Sequence, residues 1–170
     1  RLVAAEPDRF ARFAVGNTGL PTGDTPPNDA FNQWQQFSQT SPIFPVADII
    51  NGGTTTDLSD AVKAAYDAPF PDDSYKAGVR IWPSLVPTSP DDPEAPANRK
   101  AWETLLAFER PVLCCFSDSD PVSAGGEVAF IGRVPGTEGQ AHTTVEGAGH
   151  FLQEDAGPDM ARILIDFIAS

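Results

Sequence analysis

Cysteine, histidine and basic charge are all scarce in this sequence, and each shortage narrows what the chain does. There are two cysteines, Cys114 and Cys115, side by side. Neighbouring residues of a strand point to opposite faces, so these two are badly placed to bridge each other. No histidine or further cysteine stands at ligand spacing, so no metal site is expected, and the pair reads as small apolar strand residues in a reducing cytoplasm. Eleven Lys and Arg face 24 Asp and Glu, a formal net charge of -13. Such a surface repels phosphate backbones and anionic headgroups, which argues against nucleic acid or membrane partners. It places no restriction on a small neutral substrate. No apolar run reaches the roughly 18 residues a membrane span needs. The opening RLVAAEPDRFARF also lacks the apolar core and cleavage site of a signal peptide.

What is present suits one globular domain: 170 residues, of which 41% are hydrophobic, enough to bury a substantial core. Residues 1–10 read as the tail of a helix running into a turn, and Phe13–Asn17 as a short buried strand. Gly19, Pro21, Gly23 and Pro26-Pro27 then interrupt regular structure. From there to about Arg110 the signal is mostly helical. Asp57 or Thr56 is a candidate cap for a helix with Leu58, Val62, Ala65 and Tyr66 on one face, and Asn98 for another carrying Trp102, Leu105 and Leu106. The acidic, proline-rich stretch 87–98 reads as a surface loop. Val112–Phe116 is a continuous apolar run that fits a central parallel strand. A helix near Gly125–Gly132 and a strand near Ala141–Glu146 are expected next. The last helix is expected to start at Asp155 or Gly157, with Pro158 in its first turn and a stripe of Met160, Ile163, Leu164, Phe167 and Ile168. The order strand, helical insertion, then β-α-β-α implies an open α/β sheet, with the insertion lying over the carboxyl edge of the strands, where ligands bind in such folds.

Two residues stand where acid–base chemistry would be placed. His150 follows the last expected strand in a loop flanked by Gly147 and Gly149, which aims an imidazole into the cleft. His142 merely opens a strand, and nothing around it suggests a role. Asp120 lies just beyond the preceding strand, in Phe116-Ser-Asp-Ser-Asp120-Pro-Val, with Asp118 as the competitor; an Asp-Pro pair at a strand exit is also simply a good turn. A carboxylate there would fix the imidazole tautomer and stabilise the imidazolium. Acid then base at the ends of consecutive strands matches the α/β-hydrolase order of nucleophile, acid, histidine. No G-x-S-x-G or equivalent turn occurs, so the nucleophile is expected to precede Arg1.

The run Tyr66-Asp-Ala-Pro-Phe-Pro-Asp-Asp-Ser-Tyr-Lys-Ala-Gly-Val-Arg80 with Trp82-Pro resembles the cap-domain signature of haloalkane dehalogenases. Phe31-Asn-Gln-Trp34, Asp120-Pro-Val and Gly147-Ala-Gly-His-Phe-Leu-Gln-Glu154 resemble that family in the same order. The resemblance implies an α/β-hydrolase fold with core segments 1–23 and 111–170 and a helical cap, 24–110. It implies an upstream Asp that displaces halide, and water activated by His150 that hydrolyses the resulting ester. Trp34 would donate its indole N–H to the departing halide, with Phe31, Phe70, Pro71 and Val122 lining the pocket. A second subfamily places its acid after the earlier strand; Asn17 holds that position here and has no charge to offer, which leaves Asp120. The implied substrate is a small neutral halogenated hydrocarbon, with water in and halide out, no cofactor, and a monomeric protein.

Two rivals make different predictions. An epoxide hydrolase would need two cap tyrosines on the pocket, and Tyr66 and Tyr75 are the only tyrosines. The second rival is an inactive fragment, with an acid and a base but no nucleophile; on its own the chain is expected to release no halide.

Overall fold

The computed structural model describes all 170 residues. Three parallel strands form its sheet: β1 (Phe13–Val15), β2 (Val112–Ser117) and β3 (Thr143–Val145), in spatial order β1-β2-β3. Phe13 pairs with Val112 and Val15 with Cys114 on one side; Cys115 pairs with Thr143 and Ser117 with Val145 on the other. All six residues of β2 are buried, as its unbroken apolar run requires of a strand covered on both faces. Val112, Cys114 and Phe116 pack with Trp102, Phe108 and Phe130, whereas Leu113 and Cys115 pack with Leu152, Ala156 and Phe167. The adjacent cysteines therefore serve opposite cores as free thiols, and burial raises both to about 11. His142 is fixed to this framework: its Nδ1 accepts from the Cys114 N–H at 3.1 Å, which leaves Nε2–H to donate to Thr137 O at 2.9 Å.

Around the sheet lie α1 (Leu2–Ala5), α2 (Asp29–Thr40), α3 (Val46–Gly52), α4 (Asp60–Asp67), α5 (Ala77–Ile81), α6 (Ala95–Leu105) and α7 (Leu152–Ala169). Five of them, α2 to α6, fall between β1 and β2. Their small core is aromatic: Phe44 is buried, with Trp34 and Phe37 ring centroids each 5.8 Å away and the Arg80 guanidinium 4.7 Å over its face. No helix is long and apolar enough to cross a membrane.

Four local expectations need correction. The cap of α4 is Ser59, whose hydroxyl accepts from the Val62 N–H, because Asp57 and Thr56 are engaged elsewhere, with Asn51 and Asp155. Helix α6 starts at Ala95, three residues before Asn98. Asn98 is buried inside the helix, accepting from Arg1 Nε at 2.7 Å and donating to Pro21 O at 2.6 Å. The helix expected over 125–132 is a single 3-10 turn, Gly126–Ala129; Gly125 and Gly132 at its two sides take φ of 80° and 75°, outside helical range. Finally, α7 begins at Leu152 and kinks at Ala156 (φ -138°), since Pro158 lacks an N–H and crowds the carbonyl of residue 154. Of its expected stripe, Phe167 is buried and Met160 and Ile163 pack on the core, but Ile168 is exposed.

Candidate active site

The carboxyl ends of β2 and β3 meet over one pair of side chains. Beyond β2 the chain turns on Asp120, whose side chain is fully buried. Its Oδ1 accepts the Val122 N–H at 2.8 Å, the two-residue reach of an Asx turn. Its Oδ2 accepts from the Ser123 hydroxyl and, at 2.9 Å, from His150 Nδ1. Burial pushes the Asp120 carboxyl up, but the hydrogen bonds from Ser123, His150 and the Val122 N–H outweigh it and hold the group below its ordinary value. Asp120 is thus a buried, ionised acceptor, and the imidazole opposite it must carry its proton on Nδ1. That leaves Nε2 to take a proton. The His150 side chain is 34% exposed and lines a large cavity. Asp118, the competing carboxylate, is exposed and accepts from the Gly147 N–H at 2.8 Å instead.

That cavity, of about 1360 Å³, lies between the strand ends and the helical segment. Phe31 and Trp34, one turn apart on α2, line it together with Val122, His150 and Phe151. Asn28 sets this juxtaposition. Its Oδ1 caps α2 by accepting the Phe31 N–H at 2.9 Å, while its Nδ2 donates to the carbonyls of Pro121 (3.2 Å) and Val122 (3.0 Å). One residue thereby ties the start of the aromatic helix to the turn that carries the acid. Phe70 and Pro71 do not line the cavity; Phe70 is half-buried and Pro71 exposed elsewhere. Neither tyrosine lines it either. Tyr66 donates to Glu154 Oε1 at 2.5 Å, and Tyr75 is exposed.

Asn17, at the end of β1, takes a left-handed φ of 42°, which Asn tolerates better than most residues. Its Oδ1 accepts the Ser117 N–H at 2.9 Å. Its Nδ2 donates to Ser117 Oγ, Gly149 O and His150 O at 2.7 to 3.1 Å. A neutral amide thus stitches the ends of the three strands together. Sequence reading missed Ser123 and Asn28. The spacing Asp-x-x-Ser and an Asn one residue before a helix would have signalled both as turn and cap formers.

The chain matches no protein-family model. It is 56% identical over 168 residues to a haloalkane dehalogenase of Psychrobacter cryohalolentis, covering 99% of this chain and 55% of that protein. It is 46% identical over 169 residues to one of Mycolicibacterium paratuberculosis, covering 98% and 55%. Among solved structures, a tetrameric haloalkane dehalogenase from Paraglaciecola agarilytica aligns with a TM-score of 0.79 at 28% identity, over 95% of this chain and 53% of that one. One from Bradyrhizobium elkani aligns at 0.76 over 99% and 62%; at 22% identity it speaks for the fold alone. A parallel sheet with an acid–histidine pair at its carboxyl edge and these neighbours define the α/β-hydrolase fold. Along nearly its whole length the chain is similar to haloalkane dehalogenases. It spans about half the length of the curated relatives it matches.

Proposed function

We propose that this chain supplies the acid, the base and one halide-binding wall of an enzyme that hydrolyses haloalkanes to alcohol and halide. The observation that carries the reading is the 2.9 Å contact between Asp120 Oδ2 and His150 Nδ1, on a cavity that His150 shares with Trp34. The nucleophilic carboxylate belongs to the part of the protein that this chain does not span. That carboxylate attacks the halogen-bearing carbon; the carbon–halogen bond breaks, halide leaves, and an alkyl ester forms. Water then gives a proton to His150 Nε2 as its oxygen adds to the ester carbonyl. Collapse returns the carboxylate and expels the alkoxide, which becomes the alcohol on taking up the proton. Net, a haloalkane and water become an alcohol, a halide and a proton. Asp120 holds the imidazole in the required tautomer and balances the imidazolium.

Trp34 serves as the donor to the departing halide. A neutral indole N–H in an apolar wall stabilises developing negative charge without holding the product too tightly. Phe31 and Val122 shape the pocket beside it. Residues 1–23 and 111–170 are assigned to the hydrolase core and 24–110 to its cap. The protein is further proposed to be monomeric, which light scattering of the full-length protein checks, and to reside in the reducing cytoplasm, which suits two buried free thiols.

The full-length protein given 1-bromobutane and, separately, styrene oxide decides the activity. Bromide release with no epoxide opening is expected. Epoxide opening without bromide release would overturn the reading, and the removal of Tyr66 and Tyr75 from the cavity speaks against that outcome.

A further inference from the structure

The loop that presents His150 is held at almost every backbone polar group by residues outside the acid–base pair. Gly147 donates to Asp118 at 2.8 Å, and its carbonyl accepts from Thr55 Oγ1 at 2.6 Å. The Gly149 N–H donates to Asp155 Oδ2 at 2.8 Å, while its carbonyl accepts from Ser117 Oγ (2.8 Å) and Asn17 Nδ2 (2.9 Å). The Phe151 N–H donates to Gly53 O at 3.2 Å. Two strangers in sequence thus meet closely: the 147–151 loop and the turn at 53–56 between α3 and α4. A Cβ on Gly149 would stand 2.5 Å from Gly53 O, and one on Gly53 2.6 Å from the Phe151 ring, so any side chain at either place would force them apart.

Asp155 is the hub of this contact. Its Oδ1 accepts from the Thr55 N–H (3.1 Å), the Thr56 N–H (3.0 Å) and Thr56 Oγ1 (2.6 Å). Its Oδ2 accepts from the Thr55 N–H (3.0 Å) and from Gly149. All its partners are donors, converging from two segments about a hundred residues apart. Only a carboxylate offers acceptors in every one of those directions; an amide would turn N–H against N–H on one side. Burial pushes the Asp155 carboxyl up, yet these hydrogen bonds outweigh it and set the group at about 2.

We propose that Asp155 is a positioning residue for His150: it clamps the histidine loop onto the 53–56 turn, so that the imidazole keeps its alignment with Asp120 while water attacks the ester. This rests on the function proposed above. The step it serves is ester hydrolysis, because carbon–halogen cleavage needs no base.

Rapid-mixing halide measurements on the full-length protein separate the two steps. With D155N, a burst of about one halide per enzyme should form at the wild-type rate, followed by turnover slowed about 10-fold or more, within the range a misplaced general base costs. T55V keeps every bond to Asp155 but loses the hydroxyl on Gly147, and should slow turnover a few-fold with the burst intact; it also serves if D155N does not fold. Wild-type turnover in both variants would overturn the proposal. So would a burst that shrinks in proportion to turnover, the mark of a lost folded fraction.

A second readout does not depend on activity. The Nδ1 proton of His150, held by Asp120, should give a sheltered low-field NMR signal in the wild type that broadens through exchange in D155N. Its persistence in D155N would sink the clamp. If the wild type releases no halide, the functional reading fails, and this signal still decides the positioning role.

Discussion

The wall of the cavity that carries Asp120 and His150 is fixed by hydrogen bonds, whereas the wall that carries Phe31 and Trp34 is fixed by aromatic packing. On the first, the acid accepts three bonds and the histidine loop is tied to Asn17, Ser117, Thr55 and Asp155. On the second, Trp34 is ordered by Phe37 at 6.1 Å and Phe44 at 5.8 Å, and the helix is anchored to the acid's turn by the single side chain of Asn28. The difference follows the work proposed for each side. Proton transfer requires an imidazole aimed within a few tenths of an ångström. An apolar substrate and a spherical halide demand less of direction. A wall of rings accommodates them by shape.

Breaking each wall should therefore have a different signature. The largest effect is expected for Asp120→Asn, which keeps the shape but offers Nδ1 an amide in place of a charge. Turnover of the full-length protein should fall by about 10³ to 10⁴-fold, as loss of the orienting carboxylate does in triads, while the halide burst survives. A lost burst with a normal hydrolysis step would reverse the assignment of the two walls. Next in size is Phe44→Ala on the packed side. Removing a buried ring should cost about 3–5 kcal/mol of stability, read as a fall in the urea midpoint, with little change in the hydrolysis rate of what remains folded. Smaller again, Trp34→Phe should keep the packing and delete the N–H, slowing halide release by about 10²-fold, the usual cost of losing one donor to a developing anion. This variant sharpens the contrast: it should slow the burst itself, which Asp120→Asn leaves alone.

The two walls also differed in how well the sequence disclosed them. Strand β2 was legible because an unbroken apolar run between turn residues has few other uses, and the adjacent cysteines fall on its two faces as their spacing demands. Asp120 and His150 were legible as loop residues following consecutive strands, and they meet. The helical segment was harder. Asn98 looks like a cap but is drawn into the middle of α6 by partners at Arg1 and Pro21, 97 and 77 positions away in sequence. Glycines 125 and 132 bound what looked like a helix, and their left-handed backbone forbids one. Phe70 and Pro71 sit in the most family-like run of the sequence yet do not line the cavity. The clamp on Asp155 was invisible for the same reason as Asn98. Its partners Thr55 and Thr56 lie a hundred residues upstream, and no local pattern records a contact of that range.

Covalent trapping tests the central claim most directly. His150→Gln in the full-length protein removes the proposed base and leaves carbon–halogen cleavage untouched, so an incubation with 1-bromobutane should end with one butyl group per enzyme, seen by intact mass spectrometry, and one equivalent of bromide released. An unmodified protein that still turns over at the wild-type rate would show that the imidazole paired with Asp120 is not the base of this reaction.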